Sequence, residues 1–339
     1  MDSLNISIKT YNPVYQEIYF KIINPLIDFC GISGNIWILF TLIFGSVKIS
    51  KTTKFYYLLI GVSDLLNVAN HFFWADICVG LLLWKIPNLY YSFVVSSDGA
   101  CIFLNLWYYL TDIVSDYSLV ALSIERFIAV CLPFMAKSIL TKKFRFFLLF
   151  VLLVPFMILF SILIPLSARV IPYAREDVTY ACHFDYGSIF GKIFNFSMPI
   201  IVLGLHTVID LIVSLILFFK LYLSKRNPDL NSKSQKGTKD LTATIVLIML
   251  CTCTMVIYGI TFLLYIATAI FEYFLEVPEE FSYHIYAFMH IFLALTALPH
   301  SVNIFIYITV IPSFRYYAFC KMSKHRGGPI TTASSCKDS

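Results

Sequence analysis

Apolar residues in this chain gather into seven long runs, roughly 18–44, 55–83, 101–131, 144–168, 189–223, 241–271 and 283–311. Each is about 20 residues or longer, the length an α-helix needs to cross the hydrocarbon of a bilayer. The pattern therefore predicts seven transmembrane helices. Outer-membrane barrel strands would alternate apolar and polar positions over about ten residues, and these runs are continuous. Several exceed the hydrocarbon thickness, so tilt or extension beyond the bilayer is expected. The first does not read as a cleaved signal, because residues 1–12 are polar with no basic stretch.

Composition sharpens this. The chain has 339 residues, of which 59% are hydrophobic and 13% charged, against roughly a quarter charged in soluble proteins. That much apolar surface is not tolerated in water, so a soluble enzyme is excluded and lipid is the expected solvent. The net charge of +5 is spread over loops rather than gathered with interleaved aromatics, which argues against nucleic acid. Lys and Arg are about three times as frequent in one set of connections, including Lys48, Lys137, Lys142, Lys225 and Arg315, as in the other. By the positive-inside rule that set is cytoplasmic, with an extracellular N-terminus and a plasma-membrane location expected. The opposite rim is acidic, with Glu176, Asp177, Asp185, Glu272, Glu276, Glu279 and Glu280. The expected organisation is an extracellular N-terminus over 1–17, a seven-span domain over 18–311, and an amphipathic helix with cytoplasmic tail over 312–339. The fold class is thus an all-α membrane protein, a seven-transmembrane helix bundle with a short amphipathic eighth helix. Cys320, beside that last helix, is a lipidation candidate, and Asn5 in Asn5-Ile6-Ser7 a glycosylation candidate.

No metalloprotease, phosphate-loop, nucleophile-elbow or Cys-x-x-Cys pattern occurs, and the histidines are scattered over different spans. No cofactor and no enzymatic turnover are expected. The sharpest signals are ionisable groups inside the spans, each costing a few kcal/mol to bury. Asp64 stands in the second span, and the third offers Asp112, Ser115 and Asp116 at helical spacing. With Asn35 and Asn303 they form a candidate sodium or water site (Asn35, Asp64, Ser115, Asn303), or else separate interhelical hydrogen bonds. Glu125 and Arg126 end the third span. They read either as a snorkelling charge pair or as a switch, in which Glu125 holds a permanently charged guanidinium that a partner protein later recruits.

Together, Gly34-Asn35, Ser63-Asp64-Leu65, Glu125-Arg126-Phe127 and Asn303-Ile304-Phe305-Ile306-Tyr307 fall one per span and in order. In this the chain resembles the rhodopsin-like G-protein-coupled receptors. The resemblance implies a disulfide between Cys101 and Cys182. It also implies that Glu125, Arg126, Asp240, Asn303 and Tyr307 form the switch and coupling surface for a heterotrimeric G protein. Departures are Phe127 for Tyr, Ile304 for Pro, a fourth helix without its Trp, and a sixth helix with Ile260 near the expected Pro. This variant ending of the seventh helix resembles FMRFamide-receptor-like and related invertebrate receptors.

The family's amine-binding Asp falls on Tyr108, which disfavours an amine. Asp112, a turn deeper, either meets a cationic head or is a buried acid. With it, Trp74, Tyr108, Thr111, Tyr258, Phe262 and Tyr265 are the ligand-binding candidates. Aromatic walls under an acidic rim suit a short basic peptide, the expected extracellular ligand. Alternatives are a chemosensory receptor for a small odorant, and an ion channel or carrier running through Asp64, Asp112 and Asp116.

Overall fold

A computed structural model describes residues 22–45, 47, 49–73, 96–175, 178–185, 188–226, 237–274, 291, 292, 295–312 and 314–316; of these, 171–175, 178–181, 183, 224–226, 237–240 and 268–274 are described by backbone alone. The helices are α1 (Asn24–Phe44), α2 (Lys51–His71), α3 (Asp98–Cys131), α4 (Pro133–Ile139), α5 (Lys142–Ser167), α6 (Ile189–Met198), α7 (His206–Arg226), α8 (Gly237–Phe274) and α9 (Ala297–Val310). A π-helical segment, Pro199–Leu205, joins α6 to α7 in one continuous span. With α1, α2, α3, α5, α8 and α9 this makes the expected seven-helix bundle. Four of the helices, α1, α5, α6–α7 and α8, are by themselves long and apolar enough to cross a membrane.

The starts of α2, α3, α5 and α8 run slightly ahead of the apolar runs, while α6 starts with its run and α1 at Asn24, inside its own. Ser50, Ser97, Thr141 and Ser188 each accept a hydrogen bond from a backbone N–H three residues on, and so begin α2, α3, α5 and α6. A capping turn is polar, so hydropathy places the start of α2 at 55 where the helix begins at Lys51.

Between α5 and α6 the chain forms an antiparallel hairpin, β1 (Ala168–Arg175) with β2 (Val178–Phe184), pairing Val170 with Cys182. The apolar-run pattern gave no sign of it. The eighth helix is described only to Tyr316, and Phe314 does not lie at an interface. It is fully buried, with its ring 5.8 Å from that of Tyr307. Cys320 lies outside the described residues.

The bundle is inverted relative to a soluble protein. Phe29, Phe150 and Phe196 are exposed on its flanks, while Asp28, Asp64, Asn67, Asp112 and His300 are buried. Lipid accepts the apolar exterior, and the polar side chains find partners only in the interior. Two apolar clusters bracket this polar belt. One, around Leu42, Tyr57, Leu122, Leu250 and Tyr307, lies toward the basic loops. The other, around Cys101, Tyr109, Phe160, Phe194 and Met198, lies toward the hairpin.

Candidate functional site

The polar belt is organised by His300 of α9. Its Nδ1 lies 2.8 Å from Asp64 Oδ1, and its Nε2 lies 3.1 Å from Asp112 Oδ1 and 2.8 Å from the Tyr258 hydroxyl. Tyr258 donates to Asp112 Oδ1 at 3.2 Å, and Asn67 Nδ2 donates to the same oxygen at 3.3 Å. Ser115 and Asn303 donate to the two oxygens of Asp64. Side chains of α2, α3, α8 and α9 thus meet in one hydrogen-bonded cluster. An ionised carboxylate only accepts, so an imidazole between two of them satisfies both through N–H on each ring nitrogen.

Of the residues expected to form a cation site with Asp64, Ser115 and Asn303 converge on it and Asn35 does not. Asn35 Nδ2 donates instead to the backbone carbonyl of His300 at 2.8 Å. Hard cations take several oxygen ligands. Here Asn303 presents its amide nitrogen to Asp64, and the imidazole takes up Oδ1, so these residues do not fit a sodium ion. A cavity of about 20 Å³ beside them, lined among others by Asp64, Ser115, Asp116, His300 and Asn303, is sized for about one water. Among the described residues, no group of three or more His, Cys, Asp or Glu is placed to hold a metal ion.

At the hairpin end, the disulfide joins Cys101 to Cys182 with Cα atoms 5.5 Å apart. Asn105 braces it, donating to the Cys101 carbonyl at 2.9 Å and approaching the Cys182 sulfur at 3.2 Å. Asp98 accepts from the Val170 backbone N–H at 2.7 Å, fixing β1 over the start of α3. Phe184 then stacks on Phe194 at 4.1 Å, with Tyr109 edge-on to both.

The ligand candidates separate by depth. Tyr108 is half-buried, and its hydroxyl lies 3.4 Å from that of Thr296. Thr111 turns its hydroxyl back to its own helix, donating to the Trp107 carbonyl. Phe262 packs over Gly204, and Tyr265 donates to Asn195. Asp112 and Tyr258 are buried a turn below, already committed to His300. Trp74 and Asn5 lie outside the described residues.

At the basic end, Glu125 and Arg126 are both buried, at 3% and 5% exposure, rather than snorkelling to the surface. Arg126 Nη2 donates to Thr53 Oγ1 on α2 at 2.6 Å and lies 3.8 Å from Glu125 Oε1. The shorter partner of Glu125 is Arg145 of α5, whose Nε donates to Oε2 at 3.2 Å. Tyr307 packs its ring 4.9 Å from that of Tyr57, whose hydroxyl reaches the Ala243 carbonyl at 3.5 Å. Asp240 stands in the first turn of α8 by its backbone; its pairing with Arg126 lies outside the described side chains.

Sequence reasoning missed several buried groups. His71 Nδ1 faces Asp28 Oδ2 at 2.6 Å, Ser123 donates to Asp210 Oδ1 at 2.9 Å, and His206 Nε2 lies 3.8 Å from Asp116 Oδ2. Asp28 and Asp210 carry the same signal as Asp64, a lone acid within an apolar run. His71, His206 and His300 carry none, because their partners stand on other spans.

No match is found among curated proteins. Residues 34–307 match the 7 transmembrane receptor (rhodopsin family). That stretch runs from the α1 glycine packed against α9 to the tyrosine beneath the polar cluster, and takes in the disulfide and every hydrogen bond of the His300 cluster. The chain therefore belongs to the rhodopsin family of seven-transmembrane receptors, multi-pass membrane proteins that couple an extracellular ligand to a G protein.

Proposed function

We propose that this receptor binds a short basic peptide at its hairpin end and passes the signal through the His300 cluster to a heterotrimeric G protein at the Arg126 end. The observation that carries the reading is the chain of buried hydrogen bonds through His300, which joins four helices between the two ends. The Tyr108–Thr296 pair lies one turn above Asp112; Asp112 is tied through His300 to Asp64 and Asn303, and Tyr307 lies one turn below Asn303. A ligand that moves α3 against α9 at Tyr108 and Thr296 must rearrange this chain, since its members are shared among four helices. The disulfide fits an oxidising exterior at the hairpin end, and the basic connections fit the cytoplasmic side.

Asp112 has three internal partners, so the positive charge of the peptide is met by the acidic rim rather than by this residue. Tyr108, Phe262 and Tyr265 supply aromatic side chains toward the hairpin end. Aromatic faces favour Arg and Phe side chains.

The test is a peptide panel run beside a volatile panel in cells carrying a promiscuous Gα, with calcium and cyclic-nucleotide readouts. Responses to basic aromatic peptides alone support the reading. Responses to volatiles alone assign a chemosensory role, and ligand-dependent current in cells lacking G proteins assigns a channel.

A further inference from the structure

The residues around Asp64 would be expected, from their types and spans, to cradle a cation. The structure places a side chain there instead. His300 fills the gap between Asp64 and Asp112, its two ring nitrogens 2.8 and 3.1 Å from the two carboxylates. His300 is 3% exposed, and Ser115 and Asn303 also donate to Asp64, which borders a small cavity. We infer that the imidazolium of His300 is this receptor's built-in counter-ion, and that its core is held together without a bound sodium ion.

Charge accounting supports this. Two carboxylates buried within hydrogen-bond reach of one imidazole leave a cluster of net charge −1 when the ring carries both protons, and −2 when it carries one. In a medium that penalises unbalanced charge, the first state is favoured. A sodium ion added to Asp64 would have to displace Nδ1, leaving a positive ring facing a positive ion. It would also have to compete with the Asn303 amide, which already donates to Asp64 Oδ2. The adjoining cavity of about 20 Å³ is sized for about one water.

A covalently tethered cation differs from a diffusible one in a further respect. Sodium binding would stabilise one state of the receptor in proportion to its concentration. A histidine on α9 acts at fixed stoichiometry and pulls α9 toward α2 and α3 whatever the salt. The sensitivity to sodium that a solvated acid cluster would confer is thereby removed.

The experiment measures thermal unfolding of the purified full-length receptor in detergent, in NaCl and in N-methylglucamine chloride at equal ionic strength. The wild-type receptor is expected to unfold at the same temperature in both. His300→Ala, which vacates the space beside Asp64, is expected to unfold at a lower temperature and to recover several degrees in NaCl, saturably, with no recovery when Asp64→Asn is added. A saturable sodium-specific stabilisation of the wild-type receptor, lost in Asp64→Asn, overturns the inference even if His300→Ala fails to fold. So does a folded His300→Ala receptor that stays indifferent to sodium. Because the readout is unfolding, neither result depends on which ligand or G protein the receptor uses.

Discussion

Asp28 of α1 and His71 of α2 face each other at 2.6 Å in a fully buried contact, near the hairpin end of the bundle. Lipid offers neither group a substitute partner, so removing one leaves the other stranded. Asp28→Ala is expected to cost about 1–3 kcal/mol, the penalty for leaving a buried polar group unsatisfied. Replacing both residues with apolar ones of similar size, Asp28→Leu with His71→Phe, is expected to recover most of it. A thiol-reactive dye that reports exposure of the buried Cys251 on heating measures both variants; equal losses in the single and double variants would show the pair to be inert.

The contact of α1 with α9 depends on having no side chain at residue 31. A Cβ on Gly31 would lie 2.3 Å from Ser301 Oγ and 2.9 Å from Val68 Cγ1. Gly31→Ala is expected to destabilise the receptor by about 1–3 kcal/mol through overpacking. Adding Ser301→Ala should restore part of that. Gly259→Ala serves as the control, since a Cβ there meets nothing within 4 Å.

The disulfide closes a long loop over the bundle mouth, its two cysteines 81 positions apart in the sequence. Cys182→Ser is expected to lower stability by about 2–5 kcal/mol. Flow cytometry of an N-terminal tag, set against total expression, should show reduced surface receptor. Cys101→Ser with Cys182→Ser should do no worse than either single change.

Arg126 is tied to α2 through Thr53, at 2.6 Å. If this contact helps hold the resting state, Thr53→Val should raise basal signalling about five-fold, the lower end of typical coupling between sites. Asp240→Ala should act in the same direction if its carboxylate is the α8 partner. Arg126→Ala should instead abolish signalling at normal surface expression. Cyclic-nucleotide and calcium reporters, normalised to surface receptor, give the comparison, and basal output unchanged in both Thr53→Val and Asp240→Ala would remove the lock from the mechanism.

How much of this was legible beforehand differs by residue. Asp64, Ser115 and Asn303 could be placed together because each is a lone polar group in an apolar run at a comparable depth. Asn35, chosen by the same logic, reaches a backbone carbonyl instead, because depth along a helix does not fix which way a side chain turns. From sequence Asp112 reads either as a ligand contact or as a buried acid. Its internal partners Asn67, Tyr258 and His300 come from three other helices, so no local pattern points to them. His300 itself sits in the run without any pattern to mark it, and the hairpin 168–184 has a strand character that only its pairing and the Cys101 link bring out.

The sequence by itself determined the solvent, the number of helices and several of their ends. Those follow from run length and from capping residues a few positions away, which are local properties of the chain. Tertiary structure alone decided which buried acids meet a histidine, which glycine admits a neighbouring helix, and that the place of a cation is taken by a ring on α9. These outcomes depend on how helices are rotated about their axes and pressed together. That rotation is set by the summed packing of residues far apart in the chain, and no single stretch of sequence contains it.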